Sequence, residues 1–303
     1  MENIHSKPAL LSSLNIIFRA FVSLTLSAVY VNNLHAQGKT ASSEATEQPL
    51  TEVANTAPPR PAASDGASLQ LVQNYLTVTG GKEAHDRLLN VVATGTSKIS
   101  TLQKRFQLVE TQDGKRHLRY TWTLLGRQYE EVYVFDGLMG WKQKIKPELE
   151  DAVPYADTSA EGMHFIHQRW LLQPFVLPSS ADYVFKYQGG ARVRGRPTHI
   201  VVGYGKKDER SWFYFDKEKF LLLRWGGIGS MAEVRVPIDY KAYRFKRVGG
   251  VLLPREIEMI AGGDVFGKIV FESFEVNQSI GDINFTMPPP TVPVLRQRTS
   301  QPR

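Results

Sequence analysis

From Val91 onward, hydrophobic residues recur at alternate positions in short runs, separated by clusters of Gly, Asp and Pro. The pattern predicts strands over Val91–Ser100, Lys104–Thr111, Arg116–Leu124, Gln128–Phe135 and Met139–Gln143. A second series follows: Ala181–Tyr187, Thr198–Tyr204, Arg210–Asp216, Phe220–Trp225, Asp239–Arg247, Gly250–Ile260 and Asp264–Val276. Asp113-Gly114 is a strong hairpin signal, and Gly126-Arg127 and Asp136-Gly137 are weaker ones. Gly189-Gly190, Gly205 to Asp208, Gly226 to Ser230, Gly249-Gly250 and Gly262-Gly263 read as turns between the later strands. No helix-length segment alternates with these strands, so antiparallel pairing is expected and parallel βαβ winding is not. The fold class is mainly β with a few helices.

Three helices are expected. Ser68 to Thr79 carries Leu69, Val72, Tyr75 and Leu76 on one face, with Ser68 as its cap and Gly80-Gly81 as its stop. Lys82 to Leu89 reads as a second, short helix. Glu161 to Leu172 interrupts the strands, places Met163, Ile166 and Trp170 at helical spacing, and is stopped by Pro174 and Pro178.

Composition divides the chain further. Residues 1–36 read as a secretory signal peptide: Lys7 and Arg19 are basic, Ala20 to Val31 is apolar and uncharged, and Ala36 precedes the expected cut. The apolar run is shorter than the ~20 residues that span a bilayer. Residues 37–66, rich in Ala, Ser, Thr, Pro and Glu, read as a disordered linker, and 289–303, with Arg296, Arg298, Arg303 and no acid, as a disordered basic tail. One folded domain is then expected over 67–288. The expected location is the periplasm. With 0 Cys, that domain depends on core burial rather than disulfides. Losing Lys7, Arg19 and Glu2 with the leader takes the formal charge from +7 to +6. A modest positive balance suits peripheral contact with an anionic membrane or an acidic partner. Nothing resembles a nucleic-acid module.

Catalytic signals are weak. His164 and His167 lie three apart, but neither a Cys set nor an HExxH pattern accompanies them, so no metal is expected there. Gly226-Gly227-Ile228-Gly229-Ser230 lacks the Lys-Ser/Thr ending of a phosphate loop, and no serine sits in a G-x-S-x-G elbow. No catalytic residue and no cofactor is assigned. Aromatic placement is more informative. Tyr120 and Trp122 share one strand face by period two, as do Tyr133 and Phe135, and Ile257 and Met259. These faces line either an ordinary core or an apolar cavity.

Several short motifs follow one another in a distinctive order: Tyr133-Val134-Phe135-Asp136-Gly137 with Trp141, Asp182-Tyr183-Val184-Phe185, the turn Arg194-Gly195-Arg196, and Trp212 to Asp216. The series continues through Phe220 to Trp225, Asp239 to Arg244, Gly249 to Pro254, Ile269 to Asn277, and Phe285 to Pro288. This order resembles the periplasmic lipoprotein-carrier family (LolA/LolB-like), including its outer-membrane lipoprotein-sorting relatives. The resemblance covers most of Ala67–Pro288, with Glu148–Asp157 as an insertion. The resemblance implies a strongly curved, unclosed antiparallel β-barrel with helices covering its mouth. It implies a non-enzymatic carrier or sensor of lipid or lipoprotein acyl chains, working with a membrane-bound donor or acceptor protein. The ligand face is then expected at Tyr120, Trp122, Tyr133, Phe135, Met163, Ile166, Trp170, Leu222, Ile257 and Met259. Two rivals remain: an interaction module of the periplasmic sigma-factor-regulator type, and an enzyme acting on a lipid-like substrate.

Overall fold

The computed structural model describes residues 60–154, 169–177, 183–205, 210–231 and 234–290. Residues 1–59, residues 291–303, and Met163, His164, Ile166 and His167 lie outside the described residues, so the expected leader and most of the expected linker do too.

Thirteen strands form one antiparallel sheet among these residues. They are β1 (Asn90–Ile99), β2 (Leu102–Thr111), β3 (Arg116–Leu124), β4 (Arg127–Phe135), β5 (Gly140–Lys146), β6 (Val153–Pro154) and β7 (Val184–Val193). The rest are β8 (Arg196–Tyr204), β9 (Arg210–Asp216), β10 (Leu222–Met231), β11 (Val234–Val248), β12 (Val251–Ala261) and β13 (Asp264–Val276). Helices α1 (Gly66–Thr79) and α2 (Lys82–Asp86) precede them. The spatial order is β6-β5-β4-β3-β2-β1-β13-β12-β11-β10-β9-β8-β7. Each chain neighbour pairs with the next except that β1 joins β13 and β6 is not beside β7. The sheet is therefore an unclosed up-and-down barrel.

Its curvature is shown by the contacts of one residue. Arg169 donates from its guanidinium to the carbonyls of Gly114 (2.7 Å) and Lys115 (3.2 Å), in the β2–β3 turn. Its own carbonyl accepts from Trp225 Nε1 on β10 at 3.0 Å. In the sheet, β2 and β10 are five strand spacings apart, about 24 Å if flat. A single residue reaches both only because the sheet curls around it.

The concave face holds the main core. Phe271, Ile269, Ile257, Tyr240, Trp225, Phe213 and Leu108 are almost wholly buried there. Helix α1 packs on it through Leu71, Val72 and Tyr75, and the Tyr75 ring meets Phe175 and Phe215 edge-on. The helix starts earlier than Ser68: Asp65 is its cap and accepts from the Ser68 N–H at 2.7 Å. The buried stripe is also rotated from the expected one, leaving Leu69 half in solvent. The same N-terminus shields edge strand β7. Phe185 N–H donates to Ser64 Oγ (2.9 Å), Tyr187 N–H to Asp65 Oδ2 (2.9 Å), and the Phe185 carbonyl accepts from Asp65 N–H and Ser68 Oγ. An edge satisfied in this way offers fewer groups for pairing with another chain.

Two of the glycine clusters are not turns. Gly189-Gly190 lies inside β7, where the register with β8 shifts, and marks a bulge. Gly226 to Ser230 lies inside β10, paired to β11 from Gly226↔Asp239 to Ser230↔Arg235. Gly226 is required there because a Cβ would stand 2.5 Å from the Ile238 carbonyl and 2.5 Å from Trp212 Nε1. Close approach of neighbouring groups, rather than chain reversal, selects glycine. Gly95 is tighter still: its Cβ would fall 2.0 Å from the Val270 carbonyl oxygen and 2.9 Å from the Phe106 ring. Gly95→Ala is expected to cost at least about 1–3 kcal/mol, read as a lowered thermal midpoint. An unchanged midpoint would show that β1 and β13 separate freely at that point.

A smaller cluster covers the convex side of β3–β5. Val132, Val134 and Trp141 pack against Phe285 and Met287 of the C-terminal segment, and Trp141 Nε1 donates to the Phe285 carbonyl at 3.0 Å. His117 meets the Phe285 ring edge-on at 6.3 Å. Burial, reinforced by the Arg119 charge, pushes the His117 pKa down to about 4. The neutral ring is the folded form, so protonation favours unfolding. Stability should therefore fall as pH drops from about 6.5, the ordinary value, to about 4, and should be flat in this contribution outside that window. His117→Gln should flatten the slope in denaturant titrations across that window. An unaltered slope would place the loss elsewhere.

Candidate functional site

The concave face has two unlike regions. On β7–β13, β1 and β2 it is closed by α1 and by residues 169–177. On β3 and β4 it carries half-buried aromatic rings.

The closing segment is held by a buried carboxylate. Glu110 on β2 is wholly buried and accepts from the backbone N–H groups of Trp170 (3.1 Å), Leu171 (3.2 Å) and Leu172 (2.7 Å). Arg116 Nε lies 3.3 Å and Arg169 Nε 3.8 Å from its oxygens. Burial works against the Arg169 charge, and Glu110 is the main group restoring it. The three donated N–H groups show why Arg169 to Gln173 is irregular rather than helical. A helix would bond those groups to its own carbonyls; here a side chain takes them. The helix expected over Glu161–Leu172 is thus absent from its last four residues, and only Pro174–Val176 forms a 3₁₀ turn. Trp170 is nevertheless inside, edge-on to Phe106 (5.7 Å) and Phe271 (6.3 Å) and 5.0 Å from the Arg116 guanidinium carbon.

The half-buried region lies on β3 and β4, bordered by buried residues of β2 and β3. Register places Phe106, Tyr120 and Glu131 in one row, Leu108, Leu118 and Tyr133 in the next, and Glu110, Arg116 and Phe135 in a third. Trp122 stacks on Tyr129 at 5.2 Å with 11° between ring planes, and Tyr120 meets Tyr133 edge-on at 6.0 Å. Lys104 lies 3.7 Å above the Trp122 ring and 3.5 Å from Glu131, which also accepts from the Tyr133 hydroxyl at 3.0 Å. Burial lowers the Lys104 pKa, against the pull of Glu131. Burial also pushes the Tyr120 hydroxyl up to about 12, so it remains a neutral phenol at neutral pH. The result is an aromatic strip with one internally paired cation and anion. It can hold apolar chains by area burial and ring contact.

Of the residues expected to line a ligand face, Tyr120, Trp122, Tyr133 and Phe135 come together on this strip. Leu222, Ile257, Met259 and Trp170 are instead packed into the closed core, 4%, 0%, 5% and 5% exposed. Lys104, Glu131 and Tyr129 were not expected, nor was Glu110. Their signal lay in period two: Leu102, Lys104, Phe106, Leu108 and Glu110 fall on one face, so two charges interrupt an apolar row.

No family model matches the chain, and no curated protein matches it. Solved structures do. One is a LolA superfamily protein from Nitrosomonas europaea, 10% identical, with a TM-score of 0.47 over 72% of this chain and 97% of that one. A second is a putative outer membrane lipoprotein-sorting protein domain from Vibrio parahaemolyticus, 8% identical, TM-score 0.48, over 71% and 94%. A third is a DUF1329 family protein from Desulfovibrio piger, 10% identical, TM-score 0.41, over 72% and 97%. With these scores below 0.5, the fold rests on the strand order and register above. The chain is similar to these structures.

Proposed function

We propose that this protein is a non-enzymatic binding module of the cell envelope that shelters an apolar chain, from a lipid or a lipoprotein, on its concave face. The observation that carries this reading is the half-buried aromatic strip of Tyr120, Trp122, Tyr129 and Tyr133: Tyr120 and Tyr133 pack against the buried core, yet all four rings keep part of their surface exposed. An ordinary core would bury these rings as it buries Phe271 and Trp225. At roughly 0.8 kcal/mol per buried CH₂, a modest length of acyl chain offsets the cost of association. Glu110 and Arg169 fix the segment beside the strip, so that the chain enters against a preformed wall. Export by the leader read in residues 1–36 would place the protein in the periplasm, where transfer between a membrane-bound donor and acceptor needs such a module.

Mass spectrometry of lipids that co-purify with the exported protein tests the reading. Stoichiometric acyl-bearing species support it. A protein that carries none and acquires none from mixed lipid vesicles contradicts it.

A further inference from the structure

The convex side of the sheet carries an apolar patch under a weakly attached piece of chain. One cross-strand row runs through Val109, His117, Val134 and Trp141, from β2 to β5. Val134 is wholly buried and Trp141 nearly so, as is Val132 beside them. Their cover is the irregular segment 278–290, which packs on them through Phe285 and Met287. No residue of that segment is itself buried. Beyond Gln278 it makes one hydrogen bond to the sheet, from Trp141 Nε1 to the Phe285 carbonyl.

His117 is the one titratable group in the row, and its ring meets Phe285 edge-on. Its Nδ1 is buried without a hydrogen-bond partner. Its own backbone favours the charged ring, but burial and Arg119, two residues along the same strand face, oppose it more strongly. A second cation, the Lys115 ammonium, lies 5.9 Å from the centre of the Phe285 ring. The nearby acids are engaged elsewhere: Glu130 of β4 with Arg119 (2.5 Å) and Lys146 (3.6 Å), and Asp113 with Lys115 (2.8 Å). Val109 and Val134, its partners on β2 and β4, carry no charge. Segment 278–290 has one charged residue, Asp282, which forms no ion pair among the described residues. The cover thus rests on a ring that accepts it only while neutral.

We propose that residues 278–290 form an acid-released strap: protonation of His117 frees them from β3–β5 while the barrel stays folded, and uncovers the apolar face of Val132, Val134 and Trp141. A covered ring resists a proton, whereas an uncovered one regains water and its ordinary proton affinity. Protonation therefore favours the released state. The shift is confined between about pH 6.5, the ordinary value, and about 4, and enlarges the release equilibrium by up to roughly a hundredfold. The barrel does not follow, because no residue of 278–290 belongs to the main core. The strap lies on the face opposite the aromatic strip, so this inference does not rest on the acyl-chain reading.

The test is NMR of the full chain from pH 7.5 to 4, following the Trp141 indole N–H, the amides of 283–287 and the His117 ring, with the amides of β12 and β13 as the measure of global folding. The first three should titrate together while β12 and β13 keep their folded shifts. Phe285→Ala should show the released shifts already at pH 7.5 and let the His117 ring titrate near its ordinary 6.5. His117→Gln should hold the strap in place across the whole range. Strap signals that stay put while the ring titrates, that move only together with β12, or that move equally in His117→Gln, overturn the proposal. If His117→Gln fails to fold, the ring decides alone: equal titration midpoints in wild type and Phe285→Ala overturn it, and a midpoint lower by one pH unit or more in wild type supports it.

Discussion

Glu110→Ala is expected to destabilise the protein by about 3–5 kcal/mol, a drop of roughly 10 °C or more in the thermal midpoint. Glu110 is completely buried, as is nearly all of Arg116 and Arg169. Removing the carboxylate leaves two buried guanidinium groups without their anion and three buried N–H groups without their acceptor. Arg169 keeps its carbonyl partners on the β2–β3 turn, so part of the segment stays attached. Glu110→Gln retains an acceptor for the N–H groups but not the charge, and should fall between wild type and Glu110→Ala. Hydrogen exchange gives the local readout: the amides of Trp170, Leu171 and Leu172 should lose protection well before those of β12. A Glu110→Ala protein with wild-type stability would mean that the buried charges find other partners.

Trp122→Ala is expected to act in the opposite manner, on binding more than on folding. Trp122 is half-buried, and its principal contacts are the Tyr129 ring and the Lys104 ammonium. Truncation removes an apolar platform that a bound chain would cover. The loss is about 1.5–3 kcal/mol of burial, or roughly ten- to a hundredfold in affinity for a fluorescent acyl probe. Stability should change by no more than about 1 kcal/mol, because the ring is not packed into the core. Ile257→Ala supplies the contrast. Ile257 is fully buried opposite Ala242, so its truncation should cost about 2–5 kcal/mol of stability. Equal effects of the two substitutions on both readouts would mean that the strip is merely another part of the core.

The sheet was legible in the sequence because period-two alternation and turn residues are local signals. β2, β3 and β4 lie where the alternation puts them, and Asp113-Gly114 turns the chain between β2 and β3. The glycine runs misled for a physical reason. Glycine marks both a turn and a close approach, and only the neighbouring strands distinguish them. Gly226 is chosen by Ile238 and Trp212, residues 12 and 14 positions away in sequence. The irregular 169–173 segment was illegible on similar grounds, since its hydrogen-bond acceptor is a side chain about 60 residues earlier. Half of the candidate site was legible. Tyr120, Trp122, Tyr133 and Phe135 announce a shared face by spacing alone. Which face remained open depended on where α1 and 169–177 settled, and that is a property of the folded sheet. Ile257 and Met259 have the same spacing as Tyr120 and Trp122, yet they lie beneath the covered half.

The most direct measurement of the acyl-chain reading is photolabelling with a fatty acyl chain that bears a diazirine near its methyl end, followed by peptide mapping. The reading predicts labels on the β2–β4 peptides, at or beside Lys104, Trp122, Tyr129 and Tyr133, suppressed by unlabelled fatty acid and by Trp122→Ala. Labels confined to other surfaces, or none above the level of a heat-unfolded control, would contradict it.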